Sequence, residues 1–332
     1  MGLFDDYISQ VKEHKAKEKK DTDSQPGSAS ASSSVAASFS EEPVRAPRSA
    51  KTGKSAPASG GVNFTDSHLP DILELKNIHQ SYNNGEIEVF KDLYFLLEDK
   101  PDQGQFISIL GTSGCGKSTL LRYICGLQEP TSGEIIIHGK PRTHENRVGM
   151  VFQQYSSLPW YTVYQNVELS LKFRGMPEKE RKELVLRTIE LVGLKGHEEK
   201  YAQYPSLSGG QLQRVAIARS IVARPEILVM DEPFGALDIK TRLQMQELLA
   251  NIWHETQTTI LFVTHDISEA VFLGDDVFVM KSNPGEFVYY HHVNLPLKRT
   301  RELKRSDYFN KLVYEIEDEM MEMDSKSAKN KK

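Results

Sequence analysis

The 332 residues include only two cysteines, Cys115 and Cys125. No disulfide framework can be built from them, and a reducing cytosol is the expected compartment. Long apolar runs are also missing. No stretch approaches the roughly 18 consecutive apolar residues of a membrane-crossing helix. The N-terminus lacks the apolar core of a secretory signal. Asp6 stands where the myristoylation pattern that begins at Gly2 needs Ser or Thr. Neither sign of charge dominates: 41 basic and 46 acidic residues leave a net charge of -5, which gives no push towards nucleic acid. Apolar residues are sparse as well, at 39%, which implies that part of the chain does not fold.

The composition divides the chain. Residues 1–20 read as a short amphipathic helix, with Phe4, Ile8 and Val11 at helical spacing before a lysine-rich end. Residues 21–65 form a Ser/Ala/Gly/Pro-rich linker that cannot bury enough apolar surface to offset ordering. Residues 70–297 carry the punctuated apolar runs of a folded domain, and 298–332 hold a last helix and a charged tail. That helix is expected over 306–323, with Ser306 as N-cap and Phe309, Leu312, Val313, Ile316 and Met320 on one face. FISIL (106–110), EILVM (226–230), ILFVT (260–264) and VFVM (277–280) are apolar at consecutive positions, as in parallel strands covered on both faces. Segments 72–98 and 286–293 read as antiparallel strands and turns.

One of these strands runs straight into a phosphate-binding pattern. Gly111, Thr112, Ser113, Gly114, Cys115, Gly116, Lys117, Ser118 fits G-x-x-x-x-G-K-[ST]. It follows FISIL and precedes a helix with Leu120, Leu121, Ile124 and Leu127 on one face. Glycines let backbone N–H groups surround phosphate oxygens, and the helix N-terminus adds positive potential. Lys117 is expected at the β/γ-phosphates, Ser118 at Mg²⁺, and Thr119 among the nucleotide contacts.

EILVMDEP ends a buried strand in two carboxylates. In a doubly wound sheet such a strand end lies beside the phosphate loop. Asp231 is assigned to Mg²⁺, and Glu232 to orienting or deprotonating the attacking water. His265 ends the next strand, either as a structural group or within reach of a γ-phosphate. Gln153, in GMVFQQ, is open between a turn residue and a contact to Mg²⁺ or water. Tyr82 is open between packing and stacking on a base.

A second anion site follows. Ser208, Gly209, Gly210 and Gln211 of LSGGQ open a helix whose Val215, Ile217, Ala218, Ile221 and Val222 are expected inside. One nucleotide needs only one loop around its phosphates. A second site points to a second surface, and a head-to-tail homodimer with each nucleotide between one copy's phosphate loop and the other's LSGGQ provides it.

In order, GTSGCGKST, GMVFQQ, LSGGQ, ILVMDEP, GALD (235–238) and VTHD resemble Walker A, Q-loop, signature, Walker B, D-loop and switch-histidine loop of the ATP-binding subunits of ABC transporters. The resemblance covers about 70–320. It implies an α/β P-loop NTPase fold: a mostly parallel core sheet, an antiparallel β subdomain and a helical subdomain at 154–206. It also implies ATP hydrolysis, with Lys117, Gln153, Glu232 and His265 as catalytic groups and Tyr82 as the adenine-stacking ring. Residues like Gln153 link the nucleotide site to the membrane partner in that family, and residues like Asp238 couple the two sites of the dimer. Within 181–194, Leu184, Thr188, Leu191 and Val192 fall near one helix face.

LPWYTVYQNV (158–167), PFGALD and LPLKRTRE (295–302) are similar to the nitrate/sulfonate/taurine branch of importers, with Tyr161 where that branch has Leu. The branch implies separate permease subunits, a solute-binding protein and a peripheral place on the cytoplasmic face of the inner membrane. A soluble ATPase acting on nucleic acid is the competing class, but one motif set, no heptad insertion and the acidic balance oppose it. Glu232, Gln153 and His265 together oppose a subunit that has lost hydrolysis. For residues 1–20, a dispensable tail competes with a surface-binding helix carrying five lysines between positions 12 and 20.

Overall fold

The computed structural model describes residues 71–329, apart from 84–85, 101–102 and 155. The helix expected at 1–20 and the linker at 21–65 lie outside the described residues. Along the chain come β1 (Leu73–Tyr82), β2 (Ile87–Leu97), β3 (Phe106–Gly111), α1 (Lys117–Ile124), β4 (Ser132–Ile137), β5 (Lys140–Pro141) and β6 (Val148–Val151). Then follow α2 (Val163–Phe173), α3 (Glu178–Leu191), α4 (Gly209–Ile221), β7 (Ile227–Asp231), α5 (Ile239–Thr256), β8 (Thr259–Thr264) and α6 (Ile267–Leu273). Strands β9 (Asp276–Lys281) and β10 (Glu286–His292), a 3₁₀ turn (Arg301–Arg305) and α7 (Asp307–Lys329) complete the series.

Two sheets result. The larger has the order β10-β9-β3-β8-β7-β6 and is parallel except for β10, which runs antiparallel to β9. Strands β3, β7 and β8 are buried at every position. Their unbroken apolar runs follow from having a packed layer on each face. Phe106 and Leu110 point into one core with Phe234, Phe262 and Trp253, whereas Ile107 and Ile109 point into the other with Leu120, Leu121 and Tyr123. The Trp253 ring meets Phe106 edge-on at 5.8 Å between centroids, a favoured aromatic geometry. The smaller sheet, β2-β1-β4-β5, is antiparallel and gives Phe90 and Phe95 to the second core.

Two local expectations are corrected. Helix α1 stops at Ile124, Gly126 takes a φ of 71°, and Leu127 is exposed instead of continuing the helix face. On α3 the fully buried positions are Val185 and Ile189, continued by Val192, with Leu184, Thr188 and Leu191 half-buried on the flank. The spacing was read correctly, but the stripe centre is rotated by one residue, because α3 packs against α2 and α4 together. The last helix begins as expected: the Ser306 hydroxyl accepts the Phe309 amide at 3.3 Å, and Phe309, Leu312 and Ile316 are buried along with Met323.

Asp276 fastens the start of β9. Its buried carboxylate receives Lys100 Nζ at 3.1 Å and Tyr290 OH at 2.7 Å, and lies 2.8 Å from His292 Nδ1. Burial alone would raise this carboxyl, but Lys100 and the hydrogen bonds outweigh it and hold it below the usual aspartate range. Such a group stabilises the fold above its unfolded pKa, and the contribution fades as pH falls through the lower folded value. Asp276→Ala is expected to cost about 1–3 kcal/mol at neutral pH in denaturant unfolding, with the deficit shrinking in strong acid.

Candidate nucleotide site

Parallel pairing brings the carboxyl ends of four strands to one edge. Leu110 of β3 stands opposite Thr264 of β8, Val263 opposite Asp231 of β7, and Met230 opposite Val151 of β6. The next residues along each strand are the Gly111–Ser118 loop, His265, Glu232 and, after Phe152, Gln153.

The loop enters α1 through Gly116, which caps the helix at a φ of 101°. Only glycine adopts that conformation at low cost. A Cβ there would also lie 2.5 Å from the Phe90 ring of β2. Lys117 is buried, and its ammonium donates to the carbonyls of Gly111 at 2.8 Å and Thr112 at 3.0 Å. Those bonds compensate its desolvation. Ser113 and Gly114 are exposed at the tip, while Thr112, Gly116, Ser118 and Thr119 are half-buried. Burial pushes the Cys115 thiol up, against the pull of Lys117 3.8 Å from its sulfur.

Ser118 Oγ donates to Asp231 Oδ1 at 3.0 Å. Burial raises the Asp231 carboxyl and this hydrogen bond opposes the shift. A hydroxyl and a carboxylate in contact are hard oxygen donors of the kind Mg²⁺ takes alongside nucleotide phosphates, so the pair fits that ion. Glu232 follows at a φ of 43°, in the left-handed region where a non-glycine residue is strained. Its amide still donates to Val263 O at 3.0 Å, extending the strand pairing by one residue. The turn aims its side chain across the sheet edge. Oε2 accepts Gln153 Nε2 at 3.3 Å and lies 3.1 Å from His265 Nδ1. The Glu232 side chain is 19% exposed and that of His265 62%, so the carboxylate is sheltered and the imidazole open.

The remaining expected residues sit apart from this cluster. Ser208 caps α4: its hydroxyl accepts the Gln211 amide at 3.3 Å, and Gln211 Oε1 accepts the Ser208 amide at 2.9 Å. This reciprocal box was legible as S-x-x-Q but had not been read. Gln211 Nε2 also lies 3.0 Å from His197 Nε2. Gly209 is half-buried, and Gly210 is packed so tightly that a Cβ would lie 2.5 Å from Thr241. Asp238 caps α5 by accepting the Thr241 amide at 3.0 Å, and hydrogen bonding from the Thr241 side chain, then from its amide, holds the carboxyl below the usual range. Tyr82, at the end of β1, is 42% exposed and accepts Gln128 Nε2 at 2.9 Å.

The ABC transporter family model matches residues 99–235. The chain is 44% identical over 253 residues to the nitrate import ATP-binding protein NrtD of Synechocystis, an alignment covering 74% of this chain and 93% of the relative. It is 41% identical over 235 residues to the aliphatic sulfonates import ATP-binding protein SsuB of Bacillus cereus, covering 70% and 88%. Among solved structures it resembles the ATP-binding cassette MJ0796 in a dimeric post-hydrolysis state with ADP and Pi. That match has a TM-score of 0.57 and 34% identity, over 68% of this chain and all of that one. The cbiO1 protein of Clostridium perfringens, part of the ABC transporter complex cbiONQ, matches with a TM-score of 0.61 and 28% identity, over 75% of this chain and 99% of that one.

The chain therefore belongs to the ATP-binding subunits of ABC transporters, and it is an ATPase with the P-loop NTPase fold. Among the described residues no helix is long and apolar enough to cross a membrane.

Gly116→Ala tests the cradle. The positive φ and the Phe90 contact forbid the native loop path, so ATP binding in an equilibrium titration should fall by at least about tenfold while the circular dichroism spectrum is retained.

Proposed function

We propose that this chain is the ATP-hydrolysing subunit of an importer, working as a head-to-tail pair beneath separate permease subunits on the cytoplasmic face of the inner membrane. The observation that carries the reading is the meeting of Lys117, Ser118, Asp231, Glu232, Gln153 and His265 at one sheet edge, with no hydrogen bond joining them to the Ser208 helix end among the described residues. Two anion-binding surfaces on one chain, each complete in its local hydrogen bonding, suit a nucleotide shared between two copies.

In this reading the backbone amides of Gly111–Ser118 and the Lys117 ammonium hold the β- and γ-phosphates. Ser118 and Asp231 would hold Mg²⁺, and the ion would supply positive charge beside the phosphates. Glu232 orients and deprotonates the attacking water from a fixed position, because Gln153 and His265 pin the same carboxylate oxygen. His265 also presents its open ring to the γ-phosphate. Ser208 keeps its hydroxyl proton free after accepting the Gln211 amide, so it donates to the partner copy's nucleotide, together with the Gly210 amide. Tyr82 offers an exposed ring to the adenine, and Asp238 faces the other site across the pair.

The permease surface is assigned to the aromatic patch around 158–204. The Tyr161 carbonyl accepts the Ala202 amide at 3.0 Å and Thr162 bridges Tyr201, drawing two loops together. Trp160 and Tyr204 are 66% and 79% exposed on them. Large exposed rings gathered on one face mark a protein-binding surface. The relatives named for nitrate and for aliphatic sulfonates support a small anionic solute; a solute-binding protein that delivers it to the permease is part of the same proposal.

Two measurements test the proposal. Glu232→Gln should reduce ATP turnover by about a thousandfold while leaving an ATP-dependent dimer on size-exclusion chromatography. Retained turnover would remove Glu232 from the role of base. A tagged pull-down from mild-detergent extracts of native membranes should bring down a multi-span permease, and recovery of soluble partners alone would refute the importer assignment.

A further inference from the structure

Behind His265 lies a buried polar chain that the hydrolytic reading does not use. Thr264 accepts the Asp266 amide on its hydroxyl at 3.0 Å and donates to Glu269 Oε2 at 2.8 Å. Asp266 Oδ1 in turn accepts the Glu269 amide at 3.0 Å, capping α6. The pattern D-x-x-E predicts a Glu side chain returning to the Asp amide. Here the Thr264 hydroxyl takes that amide instead, and Glu269 is left holding Thr264. The backbone on both sides of His265 is thus tied to one buried carboxylate.

That carboxylate is held from three directions. Gln246 Nε2 of α5 donates to its Oε1 at 3.0 Å. Arg242 Nε lies 3.8 Å from the same oxygen, and its guanidinium also reaches Asp266 Oδ2 at 3.9 Å and donates to Leu237 O at 3.2 Å, next to Asp238. Lys304, from the 3₁₀ turn near the C-terminus, donates to Gln246 Oε1 at 2.7 Å and sits 4.6 Å above the Phe272 ring. A carboxylate this deep needs its Thr264 and Gln246 hydrogen bonds and the nearby Arg242 charge, because a buried charge left short of partners is costly.

We infer that Glu269 is a positioning residue for the His265 loop, and that Lys304, acting through Gln246, lets the C-terminal segment set how firmly that loop is held. This rests on the reading of His265 as part of the hydrolytic site. Removing the Lys304 charge frees Gln246 to turn away from Glu269. The Thr264–Asp266 turn then loosens, His265 samples positions off the Glu232 carboxylate, and turnover falls without loss of nucleotide affinity. A merely structural network would lower stability and leave the chemistry of folded molecules unchanged.

The test is steady-state ATPase kinetics on the purified full chain, comparing Lys304→Met, Lys304→Arg, His265→Ala and the Lys304→Met/His265→Ala double variant, with thermal melts of each. Lys304 is only half-buried and Met keeps its apolar stem over Phe272, so the variant should fold. Lys304→Met is expected to lower kcat about fivefold with KM within about twofold, Lys304→Arg to recover most of the loss, and the double variant to match His265→Ala alone. Unchanged kcat in Lys304→Met would overturn the inference. So would a full further fivefold loss on the His265→Ala background, which would place Lys304 on a route independent of His265 while leaving the hydrolytic reading intact. Undiminished turnover in His265→Ala would instead overturn the reading of His265, and this inference with it.

Discussion

Parallel pairing of four strands is the constraint on which the site depends. In a parallel ladder every strand ends on the same side, so residues far apart in sequence emerge as neighbours. Val151, Asp231 and Thr264 occupy the last positions of β6, β7 and β8, and Gly111 closes β3. Gln153, Glu232, His265 and the phosphate loop are brought to one edge by the register that pairs Leu110 with Thr264 and Val263 with Asp231, and the turn at Glu232 completes their meeting. The two apolar cores on either face of the sheet fix that register, since a slip by one residue would turn Phe106 and Ile107 to the wrong sides.

Local strain and local compensation are balanced around this edge. Glu232 occupies a backbone conformation that costs about 1–3 kcal/mol, and the surrounding bonds over-determine it. Its amide is fixed by Val263 and its carbonyl accepts the Gly235 amide at 3.1 Å, so the turn does not relax. The result is a carboxylate directed across the strands instead of along its own. Lys117 shows the complementary case of a buried cation carried on backbone carbonyls, with no carboxylate spent on neutralising it. The acidic groups of the edge therefore remain available to other partners.

Much of this was readable in the chain because the informative patterns are local. A glycine-rich loop between a strand and a helix, an acidic pair at a strand end and a serine opening a helix each fit within ten residues, and the structure has those elements where the sequence put them. Consecutive apolar positions identified the buried strands for the same reason. The errors came where neighbours decide. Which residue centres the α3 stripe depends on α2 and α4, and the exposure of Leu127 depends on the chain leaving α1 at Gly126. The Asp276 hub and the Glu269 chain were invisible because Lys100, Tyr290, Gln246 and Lys304 come from distant segments with no spacing rule between them.

The ends of the larger sheet carry a further consequence. An unpaired strand edge is a template for another chain, and long flat edges invite aggregation. Here one edge is β6, only four residues long. The other is β10, where His291 Nε2 lies 2.7 Å from Glu319 Oε2 of α7, setting a helix against the strand. The shortness of β6 and the α7 side chain anchored on β10 both work against strand addition. Irreversible association through sheet edges is thereby discouraged, and contact with other chains is left to loops and helix ends, which can part again.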